Sequence, residues 1–242
     1  MKFTPIYYIC IACPTIDKTI EMVEKYVERG ATAFQIDMPS QNPFAETEFV
    51  KKMMKDSLEL GLDYSDYMDE IRAIHKQYPS LELHIVVYDD VIESVGTQKF
   101  CDFVLEIGAA SIMVPGITAE HFIYAHGRGI KIFRSVIHEL PESSLLAATM
   151  SDPDDYVALR NRKPGEVDKH GFESWEKKYR YLRERGVKGQ IYSVFGISSK
   201  QELAIIKDSG ARGAIIGNIL MRLWDDEQKL WEVFDNFQSL AE

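Results

Sequence analysis

Short runs dense in apolar and β-branched residues alternate along the whole chain with longer stretches whose apolar positions return every three or four residues. The first pattern marks strands buried on both faces and the second marks helices with one buried stripe, so the sequence predicts a parallel sheet with crossover helices. Eight runs qualify as strands: residues 6–11, 33–37, 83–88, 111–114, 131–134, 156–159, 191–194 and 213–216. Asp17 is read as the cap of a helix running to Arg29, with Gly30 as its stop. Ser198 or Ser199 opens a later helix that ends at Gly210. Residues 46–60 and 65–78 give two helical segments between the second and third strands, one more than a minimal barrel needs.

Eight strand and helix units in 242 residues match the size at which one (β/α)8 TIM barrel closes, and the expectation is a single domain over residues 1–242. A doubly wound open sheet uses the same alternation. Against it, the turn after the first strand reads Ile11-Ala12-Cys13-Pro14, where a dinucleotide-binding fold would carry its glycine-rich turn.

Composition narrows the partners. A formal charge of −10 makes nucleic acid and anionic lipid unfavourable partners, and no apolar run reaches the length of a membrane span. The opening stretch shows no basic leader or cleavage pattern, and three cysteines do not make a disulfide framework. A cytoplasmic location is therefore expected. Cys10 and Cys13 have redox or metal spacing but lack a second pair, and packing is the simpler reading; the six histidines are scattered, so no metal site is predicted. His84, inside a strand, reads as a satisfied interior residue.

The candidate chemistry sits where strands hand over to helices. Gly196 in Phe195-Gly196-Ile197-Ser198 follows the seventh strand, and Gly217-Asn218 follows the eighth. In barrels these turns suit phosphate, because an absent side chain lets backbone amides approach an anion. Tight-turn glycines are the plainer alternative. Gly165, in the basic loop Asn161-Arg162-Lys163-Pro164-Gly165, is a third candidate backbone contact.

In the second strand, period two puts Gln35 and Asp37 on one face and Phe34 and Ile36 on the other, so the polar pair points inward. A substrate or a structural network of neighbouring strand ends can satisfy them, and both readings stand at this point. Glu46, in the loop that follows, can reach over the barrel mouth or favour a helix amino terminus. Tyr8, Tyr88 and Tyr156 are candidate substrate contacts, with core packing as the default for Tyr88 and Tyr156. Asp89 and Asp90 add carboxylates at the end of the third strand.

Taken together these residues resemble the tryptophan synthase alpha chain family, over almost the whole sequence. Residues 35–46, Gln-Ile-Asp-Met-Pro-Ser-Gln-Asn-Pro-Phe-Ala-Glu, are similar to the family's Glu-Leu-Gly-Ile-Pro-Phe-Ser-Asp-Pro-Leu-Ala-Asp, with both prolines and the alanine in place. Val87-Tyr88-Asp89-Asp90 with Gly96, and Met113-Val114-Pro115-Gly116, resemble its third and fourth strand ends. Phe195-Gly196-Ile197-Ser198 is similar to its Gly-Phe-Gly-Ile-Ser, Gly217-Asn218 stands where it has Gly-Ser, and Gly165 where its sixth loop ends in glycine.

The resemblance implies a barrel that cleaves indole-3-glycerol phosphate to indole and glyceraldehyde 3-phosphate without a cofactor. It also implies a possible beta-type synthase subunit as partner. By the same resemblance Gly165, Gly196, Gly217 and Asn218 would hold the phosphate. The catalytic half departs from the family: its glutamate is Gln35, its loop aspartate is Glu46, and its small glycine is Asp37. An amide does not exchange a proton near neutral pH as a carboxylate does. The expectation is that the carboxylate has moved one inward step along the strand, roughly 6.5 to 7 Å of rise, so that the substrate differs or the chemistry is lost. The competing readings are a carbon–carbon lyase using Asp37 or Glu46, a non-catalytic phosphate-ester-binding barrel that regulates a synthase partner, and a phosphosugar isomerase.

Overall fold

A computed structural model of the chain describes residues 2–161 and 174–241. Its strands are β1 (Thr4–Cys10), β2 (Ala33–Asp37), β3 (Glu82–Val86), β4 (Ser111–Met113), β5 (Arg134–Val136), β6 (Tyr156–Arg160), β7 (Gln190–Val194) and β8 (Gly213–Ile216). They form one sheet in the order β4-β3-β2-β1-β8-β7-β6-β5, and every pairing with a resolved register is parallel. Helices fall between the strands: α1 (Ile16–Glu28), α2 (Glu48–Leu58), α3 (Tyr64–Gln77), α4 (Asp89–Val95), α5 (Thr97–Glu106), α6 (Ala119–Gly127), α7 (Glu142–Thr149), α8 (Trp175–Glu184) and α9 (Lys200–Asp208). Past β8 come α10 (Asn218–Met221) and α11 (Glu227–Gln238). This is the (β/α)8 class that the sequence alternation predicts.

The chain divides into two compact units, Tyr8–Ile132 and Met1–Tyr7 with Phe133–Glu242. In the first, alternation along β2 sorts the side chains. Phe34 stacks on Tyr26 of α1 with ring centroids 6.2 Å apart, so that face meets a helix. Gln35 and Asp37 take the opposite face. Register extends that polar face across the sheet, with Gln35 beside His84 and His84 beside Ser111. The His84 ring is fully buried between Ser111 Oγ, 2.8 Å from Nδ1, and Glu82 Oε1, 3.2 Å from Nε2. It is the satisfied interior histidine expected of it. Two helices do separate β2 from β3, and α3 carries a reciprocal cap in which Asp63 and Asp66 each accept backbone N–H groups at its start.

In the second unit, Tyr7 stacks on Phe234 of α11 at 4.6 Å and donates its hydroxyl to Gln238 Oε1 at 2.7 Å. Tyr7 is thus turned toward a helix, and its neighbour Tyr8 toward the other face of β1. Three departures from the sequence reading have physical causes. The cap of α1 is Thr15, whose side chain accepts the Lys18 N–H, and Asp17 lies inside the first turn, where its charge suits the positive end of the helix dipole. The strand read at residues 131–134 pairs further on, at Arg134–Val136, while Ile132 makes only an isolated bridge to Ile112. Glu46 is not a helix cap, because Thr47 holds that position for α2.

Candidate active site

Asp37 closes β2 and is fully buried, and Gln35 is 2% exposed. The Tyr8 hydroxyl donates to Asp37 Oδ2 at 2.6 Å, whereas Oδ1 is buried with no hydrogen-bond partner. Burial pushes the Asp37 carboxyl well above the usual carboxylate range, and the negative charge of Glu46 pushes it further; the Tyr8 hydrogen bond opposes both. Burial likewise raises the Tyr8 hydroxyl, helped by Asp37 and Glu46. The result is a carboxyl group that keeps its proton at pH values where an exposed aspartate has lost it.

That shift has a stability consequence. An acid whose folded pKa is raised stabilises the fold fully below its unfolded pKa, and that contribution is lost as pH rises toward the folded value. Asp37→Asn should therefore raise the thermal midpoint at neutral and alkaline pH and match wild type below about pH 4, the ordinary aspartate range. Scanning calorimetry across pH checks this, and a variant less stable than wild type at pH 8 would contradict the burial argument.

Glu46 is half-buried and reaches Tyr88, whose hydroxyl donates to Oε1 at 3.0 Å. Burial, Glu46 and Asp37, in that order, push the Tyr88 hydroxyl upward. Phe44 packs edge-on against the Tyr88 ring at 5.4 Å, although 59% of it is exposed. The loop carrying Glu46 is tied down by Asp90 at the start of α4, which accepts the Ser40 hydroxyl at 2.9 Å and the Gln41 N–H at 3.1 Å. The Tyr64 hydroxyl donates to the Pro39 carbonyl at 3.1 Å.

Asp89 pins the next loop, accepting the Thr118 N–H at 3.2 Å and lying 2.7 Å from His121 Nδ1. Both carboxylates after β3 therefore hold loops. Gln35 donates only a long contact to Met113 Sδ, 3.8 Å away. Cys10 and Cys13 are buried free thiols with sulfurs 2.9 Å apart, packed at the end of β1.

In the second unit the turn after β7 is strained. Phe195 has φ +65° and Gly196 φ +70°, so two successive residues are left-handed and only the second is a glycine. Gly196 is exposed, and Gly217 and Asn218, after β8, are half-buried. The N–H groups of Ser198 and Ser199 are already taken by Glu202, at 2.7 and 3.1 Å, within the reciprocal cap of α9. Tyr156 opens β6 rather than closing it. It therefore starts at the strand end opposite to the Gly196 turn, and its ring packs on Phe133 at 5.0 Å and Tyr192 at 5.8 Å. Packing is the role the structure gives it. Gly165, with Arg162 and Lys163, lies outside the described residues.

Two signals were absent from the sequence reading. The Tyr8 to Asp37 hydrogen bond depends on the pairing of β1 with β2, and only topology supplies it. Asn161, whose side chain holds the Phe195 turn, reads in sequence as one more polar loop residue beside Arg160 and Arg162.

The fold defines a (β/α)8 barrel, a class that carries its chemistry at the carboxyl ends of its strands. The family model described as tryptophan synthase alpha chain matches residues 2–137, and the chain belongs to that family. Relatives agree. The tryptophan synthase alpha chain of Bacteroides thetaiotaomicron is 22% identical over 227 residues, covering 91% of this chain and 88% of its own length. That of Corynebacterium aurimucosum is 25% identical over 223 residues, covering 90% and 80%. Among solved structures, a chain from Aquifex aeolicus VF5 superposes with a TM-score of 0.85 at 17% identity, over all of this chain and 94% of its own. A tryptophan synthase complex from Pyrococcus furiosus contains a chain with a TM-score of 0.80 at 17% identity, 98% of each chain being covered. Among the described residues no helix is long and apolar enough to cross a membrane.

Proposed function

We propose that this protein is a lyase of the tryptophan synthase alpha type that breaks a carbon–carbon bond in a phosphorylated, indole-3-glycerol phosphate-like substrate, with Asp37 in the role lost at Gln35. In such a cleavage the bonding electron pair passes to the ring carbon, which must take up a proton, while the adjacent hydroxyl loses one and becomes a carbonyl. One group that begins protonated and ends by accepting a proton serves both needs. The observation that carries the reading is the buried Asp37 carboxyl, tethered at Oδ2 by Tyr8 and unpartnered at Oδ1. Glu46, held by Tyr88, is the second acid and supports a ring N–H. The reading needs no metal or cofactor.

Gly196, Gly217 and Asn218 are the proposed phosphate contacts, with Gly165 as a further one. Exposure of Gly196 and the left-handed backbone there support an approach of the anion to main-chain amides. A beta-type synthase subunit is the proposed partner, and a cytoplasmic location goes with the reading.

The replacement of the family's glutamate by Gln35 favours a second reading, a barrel that binds the phosphate ester without turning it over and regulates that partner. The two separate in one comparison. Purified protein is given indole-3-glycerol phosphate, indole is followed by absorbance, and binding is measured in parallel by calorimetry. Release of indole by wild type supports the lyase. Binding without release, with indole appearing only in Gln35→Glu, supports the regulatory barrel.

A further inference from the structure

The strain at Phe195 has a specific restraint. Asn161 follows β6 directly, and its backbone N–H extends the β6–β7 ladder by donating to the Val194 carbonyl at 2.9 Å. Its side-chain amide donates twice, to Ser193 Oγ at 3.1 Å and to the Phe195 carbonyl at 3.2 Å. Ser193 is fully buried, so one end of this clamp is anchored in the sheet. The other end holds the carbonyl of the one residue in the turn whose φ of +65° carries a penalty for an L side chain. From the outside the Arg160 guanidinium lies 5.3 Å from the centre of the Phe195 ring. A non-glycine residue stays in this region only when its surroundings over-determine it, and Asn161 with Arg160 supplies those surroundings.

We propose that Asn161 is a positioning residue for anion binding: it fixes the left-handed Phe195 so that the exposed Gly196 backbone is pre-arranged for a phosphate group. The inference rests on the reading above that the turn after β7 takes a phosphate. Asn161 touches no ligand in this scheme and acts through the turn. Losing it releases Phe195 toward φ values that any residue prefers, and re-ordering the turn is then charged against each binding event.

The test is a two-by-two comparison with inorganic phosphate as the probe, its affinity measured by calorimetry, and thermal midpoints recorded for every variant. Asn161→Ala should bind phosphate about tenfold more weakly, the effect of one lost hydrogen bond carried into binding. Phe195→Gly allows positive φ without penalty, so in that background Asn161→Ala should change phosphate affinity by less than about twofold. A general loss of structure would not be rescued by a second substitution in the turn. If Asn161→Ala does not fold, Asn161→Asp, whose carboxylate cannot donate to Ser193 or to the Phe195 carbonyl, takes its place in both backgrounds. Equal tenfold losses in both backgrounds, or no loss in either, overturn the role of Asn161 while leaving the phosphate reading intact. Failure of wild type itself to bind phosphate overturns both.

Discussion

On the lyase reading, Asp37→Asn should lower kcat/KM for indole release from indole-3-glycerol phosphate by about 10²- to 10⁴-fold, the usual contribution of a positioned acid–base group. The loss should fall on kcat, because the amide keeps the volume of the acid and can still accept the Tyr8 hydroxyl, so ground-state contacts survive. The same substitution should stabilise the fold at neutral pH for the reason given by its buried carboxyl. A variant more stable and less active than its parent is the signature of a group kept for chemistry rather than for packing. Indole release that survives Asp37→Asn within about tenfold would remove Asp37 from the mechanism, since that is below the range expected of an acid–base group.

Gly213→Ala is expected to be the most damaging single methyl in the second unit. Gly213 begins β8 beside Thr4 of β1, and a Cβ there would stand 2.0 Å from the Thr4 carbonyl oxygen and 2.7 Å from Cε1 of the Tyr192 ring. A ring can tilt, but a carbonyl in a strand ladder moves only by opening the pairing. The expected loss is at least about 3 kcal/mol, at the upper end of overpacking effects. For a chain of this length that lowers the thermal midpoint by roughly 6–12 °C. Urea unfolding of the purified variant gives the number. A change below about 1 kcal/mol would mean that β1 and β8 are not held as closely as their register implies.

Periodicity was a good guide to everything that depends on one strand alone. Gln35 and Asp37 do share a face, with Phe34 turned to α1, and the extra helix after β2 is present. It was a poorer guide where apolar density and hydrogen-bond pairing part company. Ile130, Ile132 and Phe133 are buried and drew the fifth strand toward them, yet the ladder to β6 begins at Arg134. Burial writes itself into composition; register does not. The candidate site divides the same way. Residue types at strand ends were readable, whereas the Tyr8 tether, the Asp89 and Asp90 loop ties and the Asn161 clamp join residues 29, 32, 50 and 34 positions apart. No local pattern encodes such distances.

The Asp90 tie has a wider consequence. One carboxylate at the head of α4 gathers Ser40 and Gln41, and thereby the loop that ends in Glu46. The posture of Glu46, the proposed second acid, is therefore inherited from a neighbouring strand–helix unit. Reshaping that unit is a remote handle on the Glu46 loop, open to drift or design without altering Glu46 itself.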